Sequence, residues 1–301
     1  MRGQTRTFAA NPKRVEARVV NWLLFLLLSV IWGSSFILMK MGMQGLSPYQ
    51  VASIRILSAG LVLLPFGWRS FQAVRRERLP LVFLSGILGT FFPAFLFCIA
   101  ETRIDSSLAG ILNALTPIFT LLIGAMFFHS PVGWRKWSGV ALGFLGLVML
   151  ILSGRQQVSF TYLGYASFIL IATLLYGVNV NMVNRYLRDV GSREIATVAF
   201  TMLIPLSLGI LAATGFFGME RTDVFLGSTA ASAVLGVLGT AAASILFYML
   251  LKRAGPVMSS MVTYGIPFVA LAWGAFAGES IGGAQVACLV LILSGVYMAN
   301  R

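Results

Sequence analysis

Long apolar runs broken by short polar or glycine-rich stretches make up almost the whole chain. A helix that crosses a bilayer needs about 20 mostly apolar residues. Ten runs approach or exceed that length, at 20–42, 49–67, 79–100, 106–127, 134–152, 161–184, 194–217, 225–251, 257–277 and 281–299. The pattern predicts an all-α integral membrane protein with ten transmembrane helices. Residues 1–19 are polar and basic, with Arg2, Arg6, Lys13, Arg14 and Arg18. The apolar run that follows is too long for a signal peptide and lacks its small-residue cleavage site. It is expected to be a retained first helix behind a cytoplasmic N-terminal tail.

Composition agrees with the pattern. Of 301 residues, 58% are hydrophobic and 10% charged, whereas a soluble domain carries about 25% charged residues. The net charge of +13 comes from basic residues in the short loops, so it points to topology and gives no reason to expect a nucleic-acid partner. Of the 22 Lys and Arg, seventeen fall on one side of the ten runs and only three, Arg103, Arg155 and Arg221, on the other. The positive-inside rule then places both termini in the cytoplasm of a multi-pass protein of the cell inner membrane. The even number of spans agrees, because it puts Arg301 on the same side as the tail.

An internal repeat emerges when residues 100–149 are laid over 250–298. At an offset of 150, Arg103 meets Arg253, Pro117 meets Pro267, His129 meets Glu279 and Gly133 meets Gly283. After a one-residue slip, GLVM at 146–149 meets GVYM at 295–298. The chain therefore divides into the tail (1–19), a first five-helix repeat (20–152) and a second (153–301). Five spans per repeat is odd, so the two repeats enter the membrane from opposite sides. Inverted repeats around a central cavity are the architecture of alternating-access transporters.

The stretches IWGSSFILMKMG (31–42), PYQVASIRILSAGLVLLP (48–65), SLAGILNALTPIFTLLIGAMFF (107–128), WSGVALGFLGLVMLI (137–151) and SSMVTYGIPFVALAWGAFAGESIGGAQVACLVLILSGVYM (259–298) resemble the drug/metabolite transporter superfamily, in particular its ten-helix EamA-type members. The resemblance spans nearly the whole chain. It implies two inverted five-helix repeats around a cavity and export or exchange of small metabolites, commonly amino acids. It does not imply one substrate. Members usually carry Gly-Glu after both the fourth and the ninth helix; Gly278-Glu279 fits, but Phe128-His129-Ser130 stands in the first half. Only Glu279 can inherit a role, and capping the tenth helix is one that fits.

Candidate chemistry is sparse. One histidine, His129, rules out a bis-histidine metal or haem site, and Cys98 and Cys288 lie inside apolar runs as packing thiols. No nucleophile has a base beside it, no channel filter repeats, and no loop exceeds about 12 residues, a connector's size. Enzyme, channel and receptor readings are thus disfavoured, and no cofactor or metal is called for. No carboxylate falls near a predicted midplane, which favours flux driven by the substrate gradient.

The expected substrate-binding residues are Trp32, Ser35, Phe97, Asn113, Thr116, Tyr176, Asn179, Ser244, Tyr248 and Tyr264. Aromatic faces alternating with hydroxyls and amides suit a neutral, zwitterionic or aromatic solute. The resemblance places cavity residues on the same helices. Lys40, Arg55 and Glu101 are expected near the outer surface as a gate or charge network, with snorkelling and ion pairing as the structural alternative. Pro117 and Pro267 are candidate hinges, or plain packing kinks. Gly139 and Gly143 form a small-xxx-small stripe, suited either to a dimer face with the tenth helix or to close packing within one repeat. The partners expected are a small-molecule substrate and the lipid bilayer, with the protein a monomer or weak homodimer. The alternative function is a multidrug or cationic-compound exporter, which the lack of buried acids disfavours.

Overall fold

The computed structural model describes residues 12–104, 106–152, 163–269 and 282–299. Asp105, Arg155, Gly278, Glu279 and both chain ends lie outside the described residues. Among the described residues there is no β-strand, and helices follow one another in the predicted order. The protein is an all-α membrane protein. Among the described residues, six helical stretches are long and apolar enough to cross a bilayer: Glu16–Gly42, Pro48–Ala73, Arg76–Ala100, Gly164–Tyr186, Ser192–Ala213 and Asp223–Val269. Shorter apolar helices cover Thr116–Phe127 and Val286–Ala299.

The last of the six, at 47 residues, would measure about 70 Å as one straight helix. That is more than twice the roughly 30 Å hydrocarbon core, so it must turn back. The turn is at Gly255, whose φ of +82° breaks the helix just before Pro256. A left-handed glycine followed by a residue without an N–H is a strong stop signal.

α1 (Pro12–Gly42) starts inside the segment read as an N-terminal tail, because Pro12 is preorganised for a first helical turn. α2 (Pro48–Leu63) is started by Ser47, whose side chain accepts from the Gln50 backbone N–H while the Gln50 side chain accepts from the Ser47 N–H. That reciprocal box satisfies two donors that a helix start leaves open. Around Pro65, a 3₁₀ turn, Leu64–Phe66, passes the chain into α3 (Gly67–Ala73).

The third and eighth apolar runs are interrupted in the same way. A π-helical stretch, Ile87–Phe91, joins α4 (Leu79–Gly86) to α5 (Phe92–Ala100). The fourth run divides into α6 (Ser106–Asn113) and α7 (Thr116–Phe127). α8 (Trp134–Leu152), α9 (Leu163–Tyr186) and α10 (Ser192–Ala213) follow. A second π-helical stretch, Leu235–Ala242, then joins α11 (Asp223–Val234) to α12 (Ala243–Ser260). A 3₁₀ segment, Met261–Gly265, succeeds α12, and the chain closes with α13 (Gly283–Ala299).

Glycines let two of the helices meet at their backbones. A Cβ on Gly139 would sit 2.8 Å from the Gly295 carbonyl oxygen and 2.7 Å from the Ala299 Cβ, so α8 and α13 meet backbone to backbone. The Gly139/Gly143 stripe therefore packs inside one chain but between its two halves, not within one of them, joining the fifth apolar run to the tenth. With lipid as apolar as the side chains, such close van der Waals contact is what holds membrane helices together. Some hydroxyls inside the bundle return to their own helix: Ser29 donates to the Phe25 carbonyl and Ser207 to the Leu203 carbonyl, at 2.8 and 3.0 Å. This removes the cost of an unpaired polar group where water is absent.

Candidate functional site

One cavity lies at the centre of the bundle, where the helix interruptions converge. Trp32 and Ser35 reach it from α1, Phe97 from α5, Asn113 and Thr116 from the junction of α6 and α7, Tyr176 and Asn179 from α9, and Ser244 and Tyr248 from α12. Nine of the ten side chains expected there are thus brought together.

Tyr264 is the exception. It is fully buried behind the cavity, donates its hydroxyl to the Val140 carbonyl at 3.0 Å, and lays its ring where a Cβ on Gly143 would stand. Sequence spacing assumed a regular α-helix through residues 257–277. The 3₁₀ turn at Met261–Gly265 changes the rotation per residue, so Thr263 faces the cavity and Tyr264 faces α8.

The expected outer charge network also separates. Lys40 is exposed at the end of α1. Glu101 is buried, 7% exposed, just after α5. Arg55 turns inward and lines the cavity, its Nε–H donating to Thr240 Oγ1 at 2.6 Å. Arg55 lies about 10 Å along α2 from its start, a third of the way across a hydrocarbon core rather than at its rim.

The two prolines stand at helix breaks, not in helix interiors. Pro117 occupies the first turn of α7 and Pro267 follows the 3₁₀ turn. Proline supplies no N–H and clashes with the carbonyl four residues back, so a first turn is where it fits. The break before Pro117 is closed locally, with Thr116 Oγ1 donating to the Asn113 carbonyl at 2.6 Å.

The lining is built from matched positions. At the offset of 150, Gly89 pairs with Gly239, Thr90 with Thr240, Ala94 with Ser244, Phe97 with Phe247, Asn113 with Thr263 and Thr116 with Ile266, and both members of every pair line the cavity. A second offset, 144, relates α1 to α9, pairing Trp32 with Tyr176, Ser35 with Asn179 and Phe36 with Val180. The contacts follow the same correspondence. Trp32 packs on Phe247 with ring centroids 5.4 Å apart, and its counterpart Tyr176 packs on Phe97 at 6.3 Å. Gly239 leaves room for Ser35, and Gly89 leaves room for Asn179. These glycines sit in the two π-helical stretches, and a side chain at either would collide with the polar group opposite.

A family model supplies the assignment. The EamA-like transporter family matches residues 21–152 and again 163–301. The chain belongs to the EamA-like transporter family. It is a multi-pass membrane protein that transports a small molecule, not an enzyme. Among its relatives is a protein of Salmonella typhimurium named "Probable amino-acid metabolite efflux pump", 28% identical over 91% of this chain and 93% of that protein. An "S-adenosylmethionine/S-adenosylhomocysteine transporter" of Chlamydia muridarum is 31% identical over 71% of each chain. A crystal structure titled only "Crystal structure of protein" superposes with a TM-score of 0.72 at 16% identity, covering 95% of this chain and 96% of the other. At that identity it shows a shared fold.

Spacing alone missed several residues of this transporter's cavity. Phe247 and Phe36 carry ring surface but neighbour residues chosen for polarity. The second offset is visible in IWGSSF (31–36) against LYGVNV (175–180), although only Gly33 and Gly177 are identical. Asn181, 2% exposed, donates to the Thr120 and Gly177 carbonyls at 2.9 Å each and ties α9 to α7 outside the cavity.

Proposed function

We propose that the protein is a secondary transporter that exports or exchanges zwitterionic metabolites, amino acids and aromatic ones in particular, by alternating access. In this reading residues 20–152 and 153–301 are two inverted five-helix repeats in the cell inner membrane, with both termini cytoplasmic. The observation that carries it is the matched lining: Trp32 on Phe247 and Tyr176 on Phe97 are equivalent pairs made by helices of opposite halves. A site shared equally by two related halves can be exposed to either side by rocking one half against the other. The name of the Salmonella relative supports the substrate class. An exporter of cations would place acids in the cavity, and no described lining residue is acidic.

Exchange of labelled amino acids in proteoliposomes tests the function, with and without an imposed pH gradient. Flux that follows the substrate gradient alone is expected. Uptake that requires the pH gradient would overturn the coupling, with Glu101 the first group to replace. Single cysteines at positions 75 and 188 are expected to label from one face and a cysteine at 221 from the other. Labelling of 75 and 221 from the same face would end the inverted arrangement.

A further inference from the structure

The cavity holds one charged side chain among its described residues, and that charge is only partly used. The Arg55 guanidinium gives its Nε–H to Thr240, and its two terminal amino groups have no acceptor among the described residues. It stands within electrostatic reach of the Tyr176 phenol. One turn along the same face of α9 is Asn179, 3% exposed, whose amide oxygen has no hydrogen-bond partner. A buried amide oxygen without a donor has given up its hydration for nothing, and a cation lining a cavity of low dielectric attracts any anion that reaches it. One lining therefore offers a fork of unused donors, an unused acceptor and aromatic faces between them.

We propose that Arg55 and Asn179 form the orienting subsite for a zwitterion, with the guanidinium fork taking a carboxylate and the Asn179 amide oxygen taking an ammonium. Two parallel N–H bonds to one carboxylate suit guanidinium geometry, and such charge-assisted bonds are about twice as strong as neutral ones. Thr240 holds Nε and so fixes the direction of the remaining fork. The rings of Trp32, Phe247, Tyr176 and Phe97 face the substrate side chain, and ring faces also attract the ammonium. The anionic end selects the class: a solute lacking a carboxylate leaves Arg55 unpaired and is rejected. This subsite rests on the transport reading above, and it separates amino acids from the organic cations that aromatic walls alone would admit.

Four probes of one shape dissect the subsite. L-phenylalanine carries both charges, 3-phenylpropionate lacks the ammonium, phenethylamine lacks the carboxylate, and L-phenylalaninamide has the carboxylate neutralised. Each competes against labelled L-phenylalanine in counterflow with purified protein in vesicles. The wild type is expected to bind phenethylamine and phenylalaninamide roughly tenfold or more weaker than phenylalanine. Arg55→Gln is expected to weaken phenylalanine and 3-phenylpropionate by a similar factor while leaving phenethylamine unchanged. Arg55→Lys restores part of the loss, because it keeps the charge and loses the fork. Asn179→Leu weakens phenylalanine and phenethylamine but not 3-phenylpropionate. Melting temperatures in detergent establish that each variant is folded.

A folded Arg55→Gln with wild-type affinity for phenylalanine overturns the subsite and leaves transport standing. Equal binding of phenylalanine and phenethylamine by the wild type also overturns it. Should the vesicles exchange none of the probes, thermal stabilisation of the solubilised wild type by 3-phenylpropionate, lost in Arg55→Gln, upholds the carboxylate subsite without the transport reading. Absence of that stabilisation overturns both.

Discussion

The indole N–H of Trp32 donates to the carbonyl oxygen of Gly239 at 3.1 Å, joining residues 207 positions apart. Gly239 belongs to the π-helical stretch between α11 and α12, where the widened turn presents its backbone to a side chain of α1. Trp32 is thereby held by its edge at the cavity, with its ring packed against Phe247. A polar anchor and an aromatic wall thus come from one residue.

Trp32→Ala and Tyr176→Ala each remove a ring from one of the two equivalent aromatic pairs. A loss of roughly 0.5–1.5 kcal/mol per pair is expected to weaken apparent affinity for an aromatic substrate several-fold. Competition in vesicles measures it, with melting temperature as the control. Unchanged affinity in both folded variants would move the binding site elsewhere.

Tyr264→Phe is expected to do the opposite, lowering the melting temperature with affinity unchanged. It removes the hydroxyl bond to Val140, and interhelical bonds in membranes contribute on average about 0.6 kcal/mol and up to about 2. A change in affinity at constant stability would return Tyr264 to the cavity.

Gly139→Leu is expected to separate α8 from α13, because the added side chain meets the backbone at Gly295 and Ala299. Loss of thermal stability and of folded yield is the expected result. Gly164→Leu, whose Cβ would meet nothing within 4 Å among the described residues, is expected to leave both nearly unchanged.

On the face that carries Arg75, that residue donates to Asp189 at 2.6 Å, with Arg78 3.8 Å from the same oxygen. The hydrogen bond from Arg75 is the main cause that holds the Asp189 carboxyl below its usual range. A depressed carboxylate contributes stability that is complete above its unfolded value of about 3.9 and disappears as pH falls through its lower folded value. Asp189→Asn is expected to melt below the wild type at neutral pH, with the gap closing below about pH 4. The exposed pair makes the gap small and salt-sensitive. A gap that persists at low pH would refute the ion pair as its cause.

Much of this protein was legible along the chain. Twenty-residue apolar runs dictate membrane helices because lipid offers backbone groups no partner, so each run must satisfy its own. The residue types of nine cavity side chains could also be chosen from sequence, because polar and aromatic groups inside apolar runs need a place away from lipid. Facing was another matter. The direction of Tyr264 and the part played by Phe247 depend on where π and 3₁₀ turns change the rotation per residue, and Arg55 turns inward to meet Thr240 of the second π-helical stretch. The two π-helical stretches meet distant helices, with Ser35 against Gly239 and Asn179 against Gly89. A helical period read from sequence assumes uniform rotation along the helix, and packing between the two halves decides where that rotation departs from it.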